Sequence, residues 1–298
     1  MSKSVLVTGA GTGLGLETAL HLAAHGFTVY ASIPDLAQQA PMEAEAAQRG
    51  VTLRPLLLDV TDAARIDAAV RTLIDECGDL FGLVNNAGIS LRGYFEDLDD
   101  AEIRRTLDVN LFGAMAVTRA VLPHMRAARR GRIIFVSSIG GRIGAMARTA
   151  YCASKFGLEG FAESLMQEVT PLGVQVSIIE PAIIKTERWS TNRGVARRAM
   201  DPESPYHAWF QAEERLADAL VRSSPTRPSD VAEAIHEALT ASHPRLRYVV
   251  GRRARLVLWL RRYLPGELFE RLYFGAAMRR VTVARPAVSP ARTASTRR

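Results

Sequence analysis

Apolar residues come in short, nearly unbroken runs along the first 180 positions: SVLVTG (4–9), FTVYAS (27–32), VTLRPLLLDV (51–60), GLVNNAG (82–88), GRIIFVSS (131–138) and VQVSIIEP (174–181). Runs of this length predict strands, and the lack of strict alternation predicts strands covered on both faces. A different rhythm fills the gaps. LGLETALHLAAHG (14–26) repeats its apolar residues at helical spacing and stops at Gly26. TDAARIDAAVRTLIDEC (61–77) and DAEIRRTLDVNLFGAMAVTRAVLPHM (100–125) also read as helices. Strands alternating with helices predict a parallel sheet with helices on both faces, the doubly wound α/β class. With RYVVG (247–251) the sheet has about seven strands.

After Pro181 the rhythm loosens. Residues 185–205 carry Arg, Asn, Gly, Ser and Pro with little periodicity, and a lid over residues 185–222 is the expectation. YHAWFQAEERLADALV (206–221) and SDVAEAIHEALTA (229–241) predict helices, the second with Ser229 as its N-cap. Residues 252–284 form a C-terminal extension whose core, 252–280, is an amphipathic helical segment flanked by arginine. The last stretch, 285–298, is rich in Pro, Ser, Thr and Arg and lacks aromatics, so it is expected to be a disordered basic tail. The body of the protein is residues 1–251.

Composition narrows the class. The 298 residues are 48% hydrophobic and 23% charged, ordinary for a globular chain with a large core. Two cysteines, Cys77 at a helix end and Cys152 as a small packing residue, make neither a disulfide framework nor a metal site. Together with the lack of a leader-like start and of any apolar run near ~18 residues, this points to a cytoplasmic protein. The net charge of +7 is uneven: twelve arginines stand against Glu267 and Glu270 between Arg252 and Arg298. The tail reads as solvated rather than as a nucleic-acid binder. The segment 252–280 could pack over the active site, pack on a neighbouring subunit, or make peripheral contact with an anionic membrane.

The first strand runs into TGAGTGLG (Thr8–Gly15) and then into a helix. Glycines there let the chain turn tightly and let a pyrophosphate approach the backbone, while the helix start offers unpaired N–H groups. Four further motifs follow in order: NNAG (85–88), LDVNLFG (107–113), VSSIGG (136–141) and YCASK (151–155), and then PAIIKT (181–186). In YCASK the spacing sets Tyr151 and Lys155 on one helix face. Lysine is rare here, present only as Lys3, Lys155 and Lys185, so its use one turn after a tyrosine is selective. A phenol has an ordinary pKa near ~10 and is a poor base; a neighbouring positive charge favours its phenolate. A compact ammonium also reaches a ribose hydroxyl better than a planar guanidinium does.

Taken together, these motifs resemble the short-chain dehydrogenase/reductase family in its single-domain branch, over roughly residues 4–190. The resemblance implies a Rossmann-type fold, with residues 1–251 as the dinucleotide-binding catalytic domain, and an NAD(P)-dependent oxidoreductase that interconverts an alcohol and a carbonyl. It assigns Tyr151 as proton donor and acceptor, Lys155 as the residue that lowers its pKa and binds the nicotinamide ribose, Ser138 as the substrate hydrogen-bond partner, and Asn110 as support for a water-linked proton path. Cofactor contacts are expected from Gly9, Thr12, Gly13, Leu14, Gly15, Ile33, Asp59, Val60, Asn86, Ala87, Gly88, Tyr151, Lys155, Pro181, Ile184 and Thr186, and substrate contacts from Ser138 and Tyr151. Ala182 stands where the family's loop carries glycine.

Cofactor choice rests on the end of the second strand. An acidic residue there selects NAD and a nearby arginine NADP. By alignment with the family, Ile33 and Pro34 occupy those places, so neither discriminator is present and the lean is slightly to NAD. The YCASKFGLEG segment and the C-terminal extension are similar to steroid and retinol dehydrogenases, which implies a lipophilic alcohol or ketone as substrate. Trp189, Tyr206, Trp209 and Phe210 could line its pocket or could be packing residues; His207 and His236 read as surface or cap residues. A homo-oligomer, dimer or tetramer, follows from the resemblance. A non-catalytic nicotinamide sensor is the alternative, disfavoured because Asn110, Ser138, Tyr151 and Lys155 are all kept. The glycine spacing disfavours the extended branch of epimerases and dehydratases.

Overall fold

A computed structural model describes residues 3–184 and 193–282. Its strands are β1 (Ser4–Val7), β2 (Thr28–Ile33), β3 (Arg54–Leu57), β4 (Leu80–Asn85), β5 (Ser90–Arg92), β6 (Gly131–Val136), β7 (Val174–Pro181), β8 (Arg193–Val195) and β9 (Arg247–Val250). Seven of them form one sheet in the order β3-β2-β1-β4-β6-β7-β9, every pair parallel; β5 and β8 make a separate parallel pair. The chain steps outward from β1 to β3, then returns to β4 on the other side of β1. That reversal leaves a crevice beyond the carboxyl ends of β1 and β4, the place where open α/β sheets bind ligands.

The helices are α1 (Gly13–Ala24), α2 (Gln39–Gln48), α3 (Ala63–Cys77), α4 (Asp100–Leu107), α5 (Gly113–Ala127), α6 (Thr149–Val169), α7 (His207–Arg222), α8 (Pro228–Thr240), α9 (Arg252–Tyr263) and α10 (Gly266–Thr282). Successive strand residues feed opposite faces of the sheet. Leu6, Tyr30, Leu83, Ile133 and Ile178 pack with α3, α5 and α6 on one face. Val5, Val29, Ile33, Val84, Ile134 and Ile179 pack with α1, α2 and α8 on the other. Two dry layers explain why the strands read as unbroken apolar runs.

Local chemistry starts the helices. Asp62 caps α3 through the N–H groups of Ala64 and Arg65, and Asp99 and Glu102 form a reciprocal capping box on α4. Three expectations change. Ser229 is not the cap of α8: Pro228 opens the helix, and the Asp230 carboxylate accepts from the Arg227 N–H at 2.8 Å. The single helix expected over 100–125 is interrupted by a π-turn at Asp108–Phe112. The segment 252–280 is two helices, separated at Leu264 and Pro265, because proline lacks the N–H a continuous helix needs. Lys185, Thr186, Trp189 and the tail 285–298 lie outside the described residues.

Candidate active site

The glycine loop is held by the strand beside it. The Thr8 hydroxyl accepts from the N–H groups of Asn86 and Ala87, both at 3.0 Å, and the Asn86 amide donates back to the carbonyls of Thr8 (2.9 Å) and Gly9 (3.3 Å). Gly9 has φ +63° and Gly13 φ +57°, the left-handed region that glycine adopts freely. A Cβ on Gly15 would sit 2.1 Å from the Gly9 carbonyl oxygen and 2.4 Å from the Asn86 amide nitrogen. Thr12, the residue before α1, makes no side-chain cap, so the first-turn N–H groups of α1 are left to a ligand. This cradle fits a dinucleotide pyrophosphate.

The crevice opens into a cavity of about 1280 Å³. Of the residues singled out in the sequence, Gly9, Thr12, Gly13, Leu14, Gly15, Asp59, Val60, Asn86, Ala87, Gly88, Ser138, Tyr151, Lys155, Pro181 and Ile184 all line it. Ile33 does not. It ends β2 with its side chain turned into the sheet core and fully buried, and Pro34 and Gln38 line the cavity there instead. Thr186 is outside the described residues. Asp59 is braced by the Thr61 N–H (2.9 Å) and hydroxyl (2.8 Å). Burial pushes its carboxyl up, but those bonds and the charges of Arg105 and Arg65 outweigh burial and hold it below the usual range.

Asn110 lies behind the cavity wall, on the π-turn between α4 and α5. Its Oδ1 accepts from the Ile89 N–H (2.8 Å), and its Nδ2 donates to the Ile89 carbonyl (2.9 Å) and to Ser154 Oγ (3.0 Å). The extra residue of a π-turn re-aims a side chain within a helix, a device frequent at functional sites.

Tyr151 and Lys155 stand one turn apart on α6. The Lys155 ammonium donates to the Val136 carbonyl at 2.8 Å and lies 6.0 Å from the centre of the Tyr151 ring. Burial lowers its pKa to about 8, against the opposing pull of Glu159 one turn further on. The Tyr151 side chain, half-buried in the cavity wall, has Ser138 as its hydrogen-bond partner. Burial pushes the phenol above its ordinary value; the Ser138 bond and the Arg148 charge oppose this, and Cys152 adds to it. Burial thus outweighs the lowering expected from a neighbouring positive charge: Arg148 opposes burial, and the Lys155 ammonium, turned to Val136, stands 6.0 Å from the ring centre. Ser138 itself, two residues beyond β6, is in extended conformation and accepts from the Gly140 N–H at 3.0 Å, which fixes its hydroxyl toward Tyr151.

The apolar wall differs from the one expected. Phe210 is buried in a small cluster with Ala147, Ala196 and Ala199, and Tyr206 and Trp209 pack on Tyr94 at ring distances of 4.9 and 6.2 Å. None of the three lines the cavity. Its wall comes from Leu216, Ala217 and Leu220 of α7 and from Tyr273, Phe274, Ala277 and Met278 of α10. Of the three placements open to segment 252–280, packing over the site is the one observed for α10. Sequence reasoning also missed Arg148 and Glu213, which line the cavity and pair at 3.4 Å; an arginine three residues before the tyrosine was the available signal. His236 packs against His25 with ring centres 4.6 Å apart, away from the cavity, and His207 opens α7.

The sequence profile of the short chain dehydrogenase family matches residues 3–194. The chain belongs to that family. Human retinol dehydrogenase 5 is 35% identical to it over 285 residues, covering 89% of this chain and 86% of the relative. D-beta-hydroxybutyrate dehydrogenase of Bos taurus mitochondria is 33% identical over 293 residues, covering 91% and 84%. The crystal structure of a short-chain dehydrogenase from Streptomyces avermitilis superimposes with a TM-score of 0.77 at 31% identity, covering 94% of this chain and 98% of that one. The protein is thus an oxidoreductase that works between alcohols and carbonyls with a nicotinamide cofactor, on a Rossmann-type sheet.

Proposed function

We propose that this short-chain dehydrogenase interconverts an alcohol and a carbonyl on a lipophilic, steroid- or retinoid-like substrate, with Tyr151 moving the proton. The carrying observation is one cavity that holds the glycine cradle at one end and the Ser138–Tyr151 pair under an aliphatic and aromatic wall at the other. A nicotinamide held on the glycine cradle would supply or accept the hydride. Ser138 holds the substrate oxygen beside the phenol. Tyr151, kept protonated by burial, donates its proton to that oxygen as charge develops, and takes one back in the reverse direction. Arg148 stabilises the phenolate left behind, and Lys155, anchored by Val136, presents its ammonium along the same wall. Of the two named relatives, one acts on retinol and the other on a small hydroxy acid. The wall of Leu216, Leu220, Phe274 and Met278 favours the former class.

The cofactor reading keeps its slight lean to NAD. Pro34 and Gln38 give a 2′-phosphate no charge. Arg65 reaches that end but is engaged with Asp62 (3.3 Å) and the Pro34 carbonyl (3.4 Å). A cytoplasmic homo-oligomer, dimer or tetramer, belongs to the same proposal, and light scattering on the purified protein tests the subunit count.

The test of the reaction is nicotinamide absorbance with a panel of lipophilic alcohols and ketones and of short hydroxy acids, each with NAD and with NADP, beside Tyr151→Phe. Turnover of a lipophilic member that Tyr151→Phe abolishes is the expected result. Turnover confined to the hydroxy acids overturns the substrate class, and turnover that survives in the variant overturns the proton route.

A further inference from the structure

Helix α9 carries an exposed apolar stripe, whose Trp259 and Tyr263 also edge a groove with Arg142, Glu180 and Arg247. Leu256, Trp259 and Tyr263 are 58, 57 and 62% exposed, and their spacing of three and four residues aligns them along one side of the helix. At 3.6 residues per turn, Arg255 and Arg262 flank the stripe on one side and Arg253 on the other. All three arginines are exposed. Trp259 and Tyr263 rings lie 5.2 Å apart, and the Arg262 guanidinium is 5.7 Å from the Tyr263 ring centre. The opposite side of the helix is the anchored one. Ala254 is buried, and Arg261 donates to the Arg142 carbonyl. A helix of a globular domain ordinarily buries its apolar stripe. Here Ala254, with half-buried Val257 and Leu258, fills the inner side, and Leu256, Trp259 and Tyr263 form a second apolar strip left exposed between arginines.

Charge decides what fits this face. From Arg252 to Thr282 the extension carries eight arginines against Glu267 and Glu270. A second copy of the chain applied through the same stripe would bring arginine rows against arginine rows, and like charge across an interface is unfavourable. A sheet of lipid phosphates neutralises those arginines and accepts Trp, Tyr and Leu at headgroup depth. The placement also connects to the active site. Helix α10, next in the chain, sets Phe274 and Met278 in the cavity wall, and Met278 is 50% exposed, so that wall reaches the surface on the same extension.

We propose that the outer face of α9 is a docking surface for an anionic lipid bilayer, with Leu256, Trp259 and Tyr263 inserting at the headgroup level and the flanking arginines on lipid phosphates. No helix among the described residues is long and apolar enough to cross a membrane, so the contact is peripheral. This surface stands apart from the choice of substrate.

The experiment is sedimentation of the full chain with phosphatidylcholine vesicles, with and without phosphatidylglycerol, at low and at raised salt. Binding to the anionic vesicles alone, weakened by salt, is expected. Leu256→Ser with Trp259→Ser changes no charge and touches only exposed side chains; it is expected to lower vesicle partitioning about tenfold or more. Arg255→Gln and Arg262→Gln should each cost about fivefold. Tryptophan emission should shift to the blue on anionic vesicles, and Trp259→Phe, which keeps an apolar group there, should bind yet lose the shift. Absence of binding to anionic vesicles overturns the proposal. So does binding that the Leu256/Trp259 double variant leaves unchanged, which would assign it to the arginine-rich tail. A double variant that turns a dimer into a monomer, without vesicle binding by either protein, would make the face a contact between copies and would likewise overturn it.

Discussion

Glu159→Gln puts the electrostatics of the site to a quantitative test. Lys155 is buried and its pKa stands near 8, with Glu159 the charge that resists a further fall. Two side chains one helical turn apart are separated by about 6 Å, and at an effective dielectric of about 20 their attraction is about 2.8 kcal/mol, or about 2 pKa units. Glu159 is shared: Arg247 on β9 reaches it at 3.1 Å, Arg142 acts on it from beyond the turn after β6, and Glu180 on β7 repels it. Halving the attraction for that sharing leaves about one unit, so Lys155 falls to about 7 in the variant. Burial holds Tyr151 above its ordinary value, out of this window. If the site works with a charged lysine, the alkaline limb of kcat/KM lies near 8 in the native protein and near 7 in the variant. At pH 8 the charged fraction drops from about one half to about one tenth, so activity falls about fivefold, while at pH 6 the two proteins come close together. Stability follows with a definite sign. The unfolded lysine holds its proton to 10.5 and the folded one only to about 8. Folding is therefore penalised below 8, and stability rises with pH between those two values. The variant deepens the penalty by about 1 kcal/mol at pH 7 and by about nothing above pH 9, on top of a pH-independent loss of the Arg247 contact. A limb that stays in place, or an activity loss uniform across pH, would refute the reasoning.

Other changes probe separate parts of the site. Tyr151→Phe should lower kcat by about 10²–10⁴-fold while the cofactor dissociation constant, read by calorimetry, changes by less than about twofold. Gly15→Ala brings a methyl into the Gly9 carbonyl and the Asn86 amide, so cofactor affinity should fall at least about tenfold, read by the same titration. Arg92, fully buried on β5, pairs with Glu213 at 3.6 Å and with Glu214 on α7. Arg92→Met takes one ion-pair partner from the buried Glu213, which keeps Arg148 at 3.4 Å, and one from the half-buried Glu214, and should cost on the order of 3 kcal/mol in denaturant unfolding.

The sheet was legible because both its faces are dry. A strand buried on two sides needs apolar residues at every position, and such a run stands out against helical spacing. The ends of the runs were less legible: Thr8, Gly9 and Gly88 continue the apolar or small pattern but leave the sheet to build the crevice. Ile33 failed for a reason of parity. As the last residue of β2 it shares a face with Val29 and Ala31, which point into the core, so alignment placed it correctly in the chain and wrongly in space. The π-turn around Asn110 was invisible because one extra backbone residue leaves the apolar spacing of 100–125 almost unchanged. Tyr151 was read from its motif, but its charge environment was not. Arg148 is close in sequence, and Glu213 is 62 residues beyond Tyr151, so only folding brings the two together in the cavity wall.

The same parity and burial arguments tie the C-terminal extension to the chemistry. Arg261 on α9 donates to the Arg142 carbonyl; the Arg142 guanidinium pairs with Glu180 at 2.9 Å; Glu180 and Glu159 share Arg247, at 2.9 and 3.1 Å. Glu159 then acts on Lys155. Glu180 is fully buried and Glu159 nearly so, which means that each of these carboxylates loses much if its arginine leaves. On the other side α10 closes the apolar wall with Phe274 and Met278. The two helices therefore touch the site twice, once through a chain of buried charges behind the lysine and once through the surface a substrate would meet. An extension that merely covered the β9 edge would need neither contact. Removing residues from Arg252 onward should accordingly change the pH profile and the apparent affinity for apolar substrates together, whereas loss of a passive cover would lower stability and leave both unchanged.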